Sequence, residues 1–341
     1  MGDTVVGIVA NPLSGRDIRR LVATASVFPT AEKANMVQRM LTAFGVVGVD
    51  RVLVGTDLGG ISAAVLRAIG TRPPRDPPWP EVEFLDQDPI TQTAADTVNA
   101  VRRMAEAGAR VVVCLGGDGT VRAAAAACGD TPLLPLSTGT NNAFPQLREA
   151  TVAGLAAGLV AVGAVDIAAV TRRAPVLRVD GAGRSELALV DVCTSVNRYV
   201  GARALWDPAA LTELYCTFAE PDGIGLSSVP GVLCPSPRDE PSGVALMLCP
   251  PAEATWVVAA PIAPGLVVPV GVRSWRRLEP GEVVEVATPR GVVAVDGERE
   301  IEFSGAPAPR VTLRPDGPRC VDVRAVLAGP ARNRLIQEVE R

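Results

Sequence analysis

From Val5 to Leu136, short β-branched runs alternate with amphipathic stretches, and that alternation leaves the chain few ways to fold. Val5–Ala10, Arg51–Val54, Val82–Leu85, Val111–Leu115 and Leu133–Leu136 read as buried strands. Between them, Glu32–Phe44 carries Ala34, Val37, Leu41 and Phe44 on one helical face, with Gly45 closing the helix. Ile61, Val65 and Ile69 mark a second helix, and Val98, Val101 and Ala105 a third before Gly108. Val121–Cys128 is a fourth, with Gly129 just past its end. Strands and helices in this order build a parallel sheet covered on both faces. The spacing therefore predicts a doubly wound parallel α/β domain over residues 1–148.

After a helix over Glu149–Val162 the pattern changes. Short β-branched runs separated by Gly, Pro and Asp fill residues 165–310, from Val176–Val179 to Val292–Val295. They predict a β-rich, antiparallel, sandwich-like domain over 149–310, with a helical turn near Pro208–Tyr215. Val311–Leu313 and Val321–Val323 read as strands and Ala331–Arg341 as a helix, so that 311–341 forms a tail expected to pack back on the first domain. The Pro-rich stretch 71–80 is a surface loop, because its prolines remove donors and fix φ.

What the chain lacks narrows its chemistry. There is no histidine among 341 residues, which excludes Ser-His-Asp catalysis and histidine metal sites. Lys33 is the single lysine; it stands in no Walker A loop and is expected on a helix surface. Phosphate recognition must then rest on arginine, backbone N–H groups and helix ends. Seven scattered cysteines without a CxxC pair suit reduced, buried thiols in a cytoplasmic protein. A net charge of −4 argues against a nucleic-acid partner. No apolar run has membrane length and no signal peptide is read at the start, so no membrane partner is expected.

Two consecutive strands end in small polar loops, where open parallel sheets bind ligands. Gly116-Gly117-Asp118-Gly119-Thr120 lets the backbone turn sharply and a phosphate approach closely, with Thr120 capping a helix that starts at Val121. Asp118 beside a phosphate needs either Mg²⁺ or a proton from an attacking hydroxyl, and Arg122 one turn later could neutralise transferred charge. Ser137-Thr138-Gly139-Thr140-Asn141-Asn142 offers hydroxyls and amides for a ribose, a base edge or a polyphosphate. Asn11, Ser14 and Gly15 sit in a third such loop after the first strand. Each loop also has a plain reading, as a polar turn that starts a helix.

The segments GGDGT, TGTNN and the initial NPLSGRD together resemble the NAD kinase and diacylglycerol kinase superfamily. Asp222–Ser228 resembles a later glycine-and-serine segment of NAD kinases, and Val295-Asp296-Gly297-Glu298 the DGE of the lipid kinases. With EKANMVQRML added, the chain is most similar to the ATP-NAD kinase-like acetoin catabolism protein X group. The resemblance implies ATP with Mg²⁺, meeting a substrate in a cleft between an α/β and a β-rich domain. It implies Asp118 as the catalytic or metal-organising carboxylate, Gly116, Gly117, Gly119 and Thr120 around phosphate, and Thr138 to Asn142 on the nucleotide. Asp191, Ser227, Ser228, Asp296 and Glu298 are the implied substrate contacts. Val190-Asp191 stands where NAD kinases carry an Asn-Glu pair that holds ribose, and no TGSTAY-like loop is present. Three functions stay open: a kinase for NAD or another nucleotide-like or polyol hydroxyl, a lipid kinase, and a non-catalytic nucleotide sensor. A homodimer or higher homo-oligomer also stays open.

Overall fold

A computed structural model of the chain describes residues 3–15, 24–25, 28–71, 78–139, 141–197, 205 and 207–333. The alternating half comprises β1 (Val5–Ala10), α1 (Thr30–Val47), β2 (Arg51–Gly55), α2 (Ile61–Thr71), β3 (Glu81–Leu85), α3 (Ala94–Glu106), β4 (Val111–Gly116), α4 (Asp118–Ala125), β5 (Leu133–Ser137) and α5 (Ala150–Ala161). A short α6 (Ile167–Val170) and β6 (Thr171–Arg173) follow. The strand order is β3-β2-β1-β4-β5, all parallel. Because β1 and β4 are neighbours from which the order runs outward in opposite directions, their carboxyl ends form the switch-point crevice of a doubly wound sheet.

Both faces of this sheet are apolar, as burial on two sides demands. Val6, Ile8, Val113 and Leu115 point toward α1 and α5; Val5, Val9, Val112 and Cys114 point toward α3 and α4. α1 runs through Gly45, where an added Cβ would lie 2.2 Å from the Pro78 carbonyl oxygen. The helix ends instead at Gly48, in the left-handed region with φ 81°. Gly45 is a close-approach position, not the expected cap.

The β-rich half comprises β7 (Val176–Gly181), β8 (Arg184–Ala188), β9 (Asp191–Ser195), β10 (Leu211–Cys216), α7 (Ser228–Leu233), β11 (Gly243–Cys249), β12 (Trp256–Ala263), β13 (Leu266–Leu278), β14 (Val283–Glu285), β15 (Arg290–Val295), β16 (Glu298–Ser304) and β17 (Arg310–Arg314). Seven strands in the order β12-β13-β11-β10-β9-β15-β16 make one antiparallel sheet, and β14-β17-β7-β8 a second. Alternation splits β10 between two cores: Tyr215 joins Leu177, Val179 and Leu313 between the sheets, whereas Leu214 and Cys216 face Val229 of α7. The sandwich is thus real. The segment 208–215 is mostly strand: a single 3₁₀ turn at Pro208–Ala210 leads straight into β10.

The chain then returns to the first sheet. β18 (Arg319–Val321) pairs in parallel with β5 and antiparallel with β6. α8 (Val323–Asn333) sets Val323 and Val326 into the core shared with α5, so Val323 opens a helix and ends no strand. The domain limits expected from sequence fall differently on these elements. The 148/149 limit precedes α5, which packs on α1 against the parallel sheet, and the 310/311 limit falls inside β17. Residues 334–341 of the expected terminal helix lie outside the described residues.

Candidate functional site

The GGDGT turn is built around its own neighbours. Gly117 is the N-cap of α4, in extended backbone, and Asp118 is the first helical residue. Thr120 therefore lies inside the helix and does not cap it; its N–H bonds the Gly117 carbonyl at 3.0 Å. The Thr120 hydroxyl accepts from Asn11 Nδ2 at 2.9 Å, tying the loop after β1 to that after β4. A Cβ on Gly116 would lie 2.4 Å from Thr120 Cβ, and one on Gly117 2.6 Å from Asn142 Oδ1. At Gly119 it would meet only Glu298 Oε1, at 3.8 Å. Packing demands the first two glycines; the third opens onto the cleft.

The loop after β5 is latched to the other two. Ser14 Oγ and Thr138 Oγ1 lie 2.6 Å apart, both buried. Asn142 Nδ2 donates to Ser137 Oγ at 2.8 Å. The Asp118 carboxylate accepts from the N–H groups of Ala143, at 3.2 and 3.1 Å, and of Phe144, at 2.8 Å, which fixes its orientation. Asn141 Oδ1 is buried with no hydrogen-bond partner among the described residues. Thr140 lies outside the described residues, as do Arg16 and Asp17 of the first motif.

Lys33 is where sequence reasoning erred most. It is 1% exposed, beneath the loop after β1, and not on a surface. Its Nζ donates to the carbonyls of Asn11 at 2.9 Å, Pro12 at 3.2 Å and Ser14 at 2.9 Å. A compact ammonium with three donors suits three converging oxygens; a planar guanidinium does not.

The β-rich half closes the cleft with acids. Asp296 is buried, with φ 49°, and accepts from the N–H groups of Leu189, Val190 and Asp191, the closest at 2.8 Å. Burial pushes its carboxyl up to about 6; the nearby Arg122 charge opposes this, Asp118 adds to it, and the backbone donors oppose it. Asp191 is also buried, and its carbonyl receives the Asp296 N–H at 2.9 Å. Arg122 reaches across from α4 to Glu300 at 2.9 Å, Glu298 at 3.8 Å and Asp296 at 3.9 Å. Three carboxylates of the β-rich half face it, so its charge is already paired across the cleft that it lines. Ser227 and Ser228 correct a further expectation. They are buried at the start of α7, with Ser228 Oγ on the Gly225 carbonyl at 2.6 Å, on the face of the sandwich sheet that packs α7. Neither lines the cleft.

The cleft has a volume of about 840 Å³ and runs along the carboxyl ends of β1 to β4. Asn11, Ser14, Gly15, Gly117, Asp118, Gly119, Thr120, Gly139, Asn141 and Asn142 line it from the α/β side, with Arg122 between them and Asp296 and Glu298 of the β-rich side. Gly116 and Thr138 are buried behind this wall as support. Sequence reasoning missed Thr56 and Asp57 after β2 and Gln87, Ile90 and Thr97 around the β3–α3 connection. The signal was available, since GTDLGG after β2 is another small polar loop at a strand's carboxyl end. Asp57 closes it by receiving the N–H groups of Ile61 and Ser62 at 3.1 and 2.7 Å.

Comparison with known proteins agrees with this layout. The ATP-NAD kinase N-terminal domain matches residues 6–165, and the acetoin catabolism protein X C-terminal domain matches residues 175–316. Acetoin catabolism protein X of Cupriavidus necator is 43% identical over 340 residues, covering 98% of this chain and 94% of the relative. The chain belongs to the acetoin catabolism protein X family. Within the family's two-part layout, the junction between the matched domains falls at α6 and β6, just before β7. Among solved structures, a diacylglycerol kinase from Bacillus anthracis str. Sterne is 13% identical, with a TM-score of 0.42, covering 96% of this chain and 99% of that one. No helix among the described residues is long and apolar enough to cross a membrane.

Proposed function

We propose that this chain is an ATP-dependent small-molecule kinase that transfers a phosphoryl group to a hydroxyl of NAD or a related nucleotide-like or polyol metabolite. The observation that carries the reading is the cleft at the switch point. Three small polar loops meet there over the start of α4, and Asp118 lies beside the opening at Gly119. A nucleotide laid along β1 to β4 would set its phosphates against the 11–15 and 117–119 loops, with its nucleoside toward Thr56 and Gln87. The volume suits such a ligand. The buried, unpartnered Asn141 Oδ1 supports a ligand donor at that wall.

Magnesium fits the donor set. Five carboxylates line the cleft (Asp57, Asp96, Asp118, Asp296 and Glu298), and among the described lining residues Arg122 is the only cation. No group of three or more acidic, histidine or cysteine residues among the described ones converges as a ready-made metal cage. Mg²⁺ commonly takes one or two carboxylates and completes its shell with water and phosphate oxygens. Asp118, with Asp296 and Glu298 nearby, would hold it in that shared way, and its charge would offset that of the phosphates. Asp118, fixed by two backbone N–H groups, would orient the acceptor hydroxyl and take its proton. The DGE segment has a structural use here, because Asp296 fills the backbone nest at 189–191. The DGE segment therefore does not by itself point to a lipid acceptor.

A second reading, a nucleotide-binding sensor without turnover, is favoured by one observation: Arg122 is held by three carboxylates. Incubation with ATP, Mg²⁺ and a panel of hydroxyl acceptors, NAD included, tests the choice by mass spectrometry. The kinase reading expects a phosphorylated acceptor, lost in Asp118→Asn. Tight ATP or NAD binding without product across the panel would support the sensor. Unchanged turnover in Asp118→Asn would remove Asp118 from the mechanism.

A further inference from the structure

The loop that holds Asp118 is itself held from the β-rich half. Arg238, in the connection between α7 and β11, sends Nη2 to the Ala143 carbonyl at 3.2 Å and Nη1 to the Phe144 carbonyl at 3.1 Å. The peptide joining Ala143 to Phe144 is thus bonded at both ends: its carbonyl receives Arg238, and its N–H goes to Asp118 Oδ1 at 2.8 Å. Hydrogen bonds in series polarise one another, so the arginine strengthens the grip of this peptide on the carboxylate. Arg238 is fixed before it reaches the loop. Glu220 receives its Nε at 3.0 and 3.1 Å, and the guanidinium lies 4.4 Å from the Phe218 ring centroid.

We propose that Arg238 is a positioning residue for the phosphoryl transfer assigned above, holding the 143–144 peptide so that Asp118 keeps its orientation at the cleft. The proposal rests on the kinase reading for its kinetic consequence and on geometry alone for its structural one. Arg238 serves Glu220 through Nε and Nη2 and the two carbonyls through Nη1 and Nη2, a planar spread of donors that the single ammonium nitrogen of a lysine cannot reproduce. The side chain is 30% exposed and its pair with Glu220 is bidentate, so the pair serves to fix the plane of the guanidinium. Its leverage lies in geometry. Misplacing a reacting group by about 1 Å can cost roughly 10²-fold in rate. Arg122 and Arg238 both bridge the halves but differ in use: Arg122 ties α4 to the acids of the β-rich half, whereas Arg238 reaches the backbone that orients the candidate catalytic carboxylate.

The test uses the full chain carrying Arg238→Met or Arg238→Lys. Backbone hydrogen exchange at Ala143 and Phe144, without nucleotide, should rise about tenfold in Arg238→Met, the effect of loosening about one hydrogen bond. In the Asp118→Asn background the same change should add little. With ATP and Mg²⁺, kcat should fall roughly 10- to 100-fold in Arg238→Met while the KM for ATP stays within about twofold. Arg238→Lys should lie between it and the parent. Unchanged exchange at these two amides, or an equal increase with and without the Asp118 carboxylate, overturns the proposal. So does a loss confined to KM. If Arg238→Met does not fold, Arg238→Lys decides, because it keeps the charge near Glu220 but loses the fork: faster exchange supports the proposal and parental exchange overturns it. If the parent phosphorylates nothing, the kinase reading alone has failed, and the exchange result still decides what Arg238 does.

Discussion

Replacing Lys33 by Met tests whether the loop after β1 is held from below. The ammonium is 1% exposed and bonds three backbone carbonyls at 2.9–3.2 Å. Charge-assisted bonds of this kind contribute about 1.5–3 kcal/mol each. Against their sum stands the cost of keeping an ammonium out of water, several kcal/mol, which Met avoids. What remains is about 3 kcal/mol, mostly from carbonyls left buried without donors. For a chain of this length about 2 °C is lost per kcal/mol, so the melting temperature should fall by about 6 °C. Asn11 and Ser14 are pinned through these carbonyls and line the cleft, so affinity for ATP·Mg²⁺ by calorimetry should drop about tenfold, the effect of some 1.4 kcal/mol. Lys33→Arg should rescue neither quantity, because its fork cannot converge on three oxygens. A Met variant that melts within about 1 °C of the parent and binds ATP·Mg²⁺ equally would refute the reasoning.

Three further outcomes follow from the geometry. Gly119→Ala should fold normally, its Cβ meeting only Glu298, yet lose nucleotide affinity, whereas Gly117→Ala should destabilise the fold against Asn142; melting curves and calorimetry on both variants separate the two. Glu213 is buried and receives Tyr215, Thr194, and the N–H and hydroxyl of Thr288 as well as the Ala287 N–H. Burial alone would raise its carboxyl, but the hydroxyl and backbone donors outweigh that and hold it below the ordinary value. A folded pKa below the unfolded one gives stability that is present at neutral pH and lost on acidification, so Glu213→Gln should cost about 2–3 kcal/mol at pH 7 by urea titration and less near pH 4. Asp296 has the opposite sign. Its folded pKa of about 6 lies above its unfolded value, so its contribution is fully favourable at low pH and diminishes as pH rises through that range. Asp296→Asn should flatten the fall in stability between about pH 4, near the unfolded value, and about pH 6, the folded one.

Much of the fold was legible because it is written in local periods. The runs Val111–Leu115 and Leu133–Leu136 are apolar on both faces because both faces are covered, and each ends where the cleft forms. The GGDGT and STGTNN loops could be read for the same reason: glycine and small polar residues at a strand's carboxyl end are a local signal. Lys33 could have been read too. It precedes Val37, Met40 and Phe44 by one, two and three helical turns, all buried, and so lies on the inward stripe of α1. The expectation of a surface position followed lysine's usual preference and set the period aside. Arg238, Glu220 and the nest around Asp296 were not legible, because those contacts join segments roughly 20 to 100 residues apart that no local pattern relates. The misreading of Ser227 and Ser228 has the same root. A glycine-and-serine stretch specifies a turn, but which face of a sheet that turn caps is settled by packing.

A structure of the chain with a non-hydrolysable ATP analogue and Mg²⁺ tests the central claim most directly. The account predicts phosphates against the 11–15 and 117–119 loops, the nucleoside toward Thr56 and Gln87, and the terminal phosphate within reach of Asp118. A nucleotide bound elsewhere, or one whose phosphates point away from Gly119 and Asp118, would contradict it.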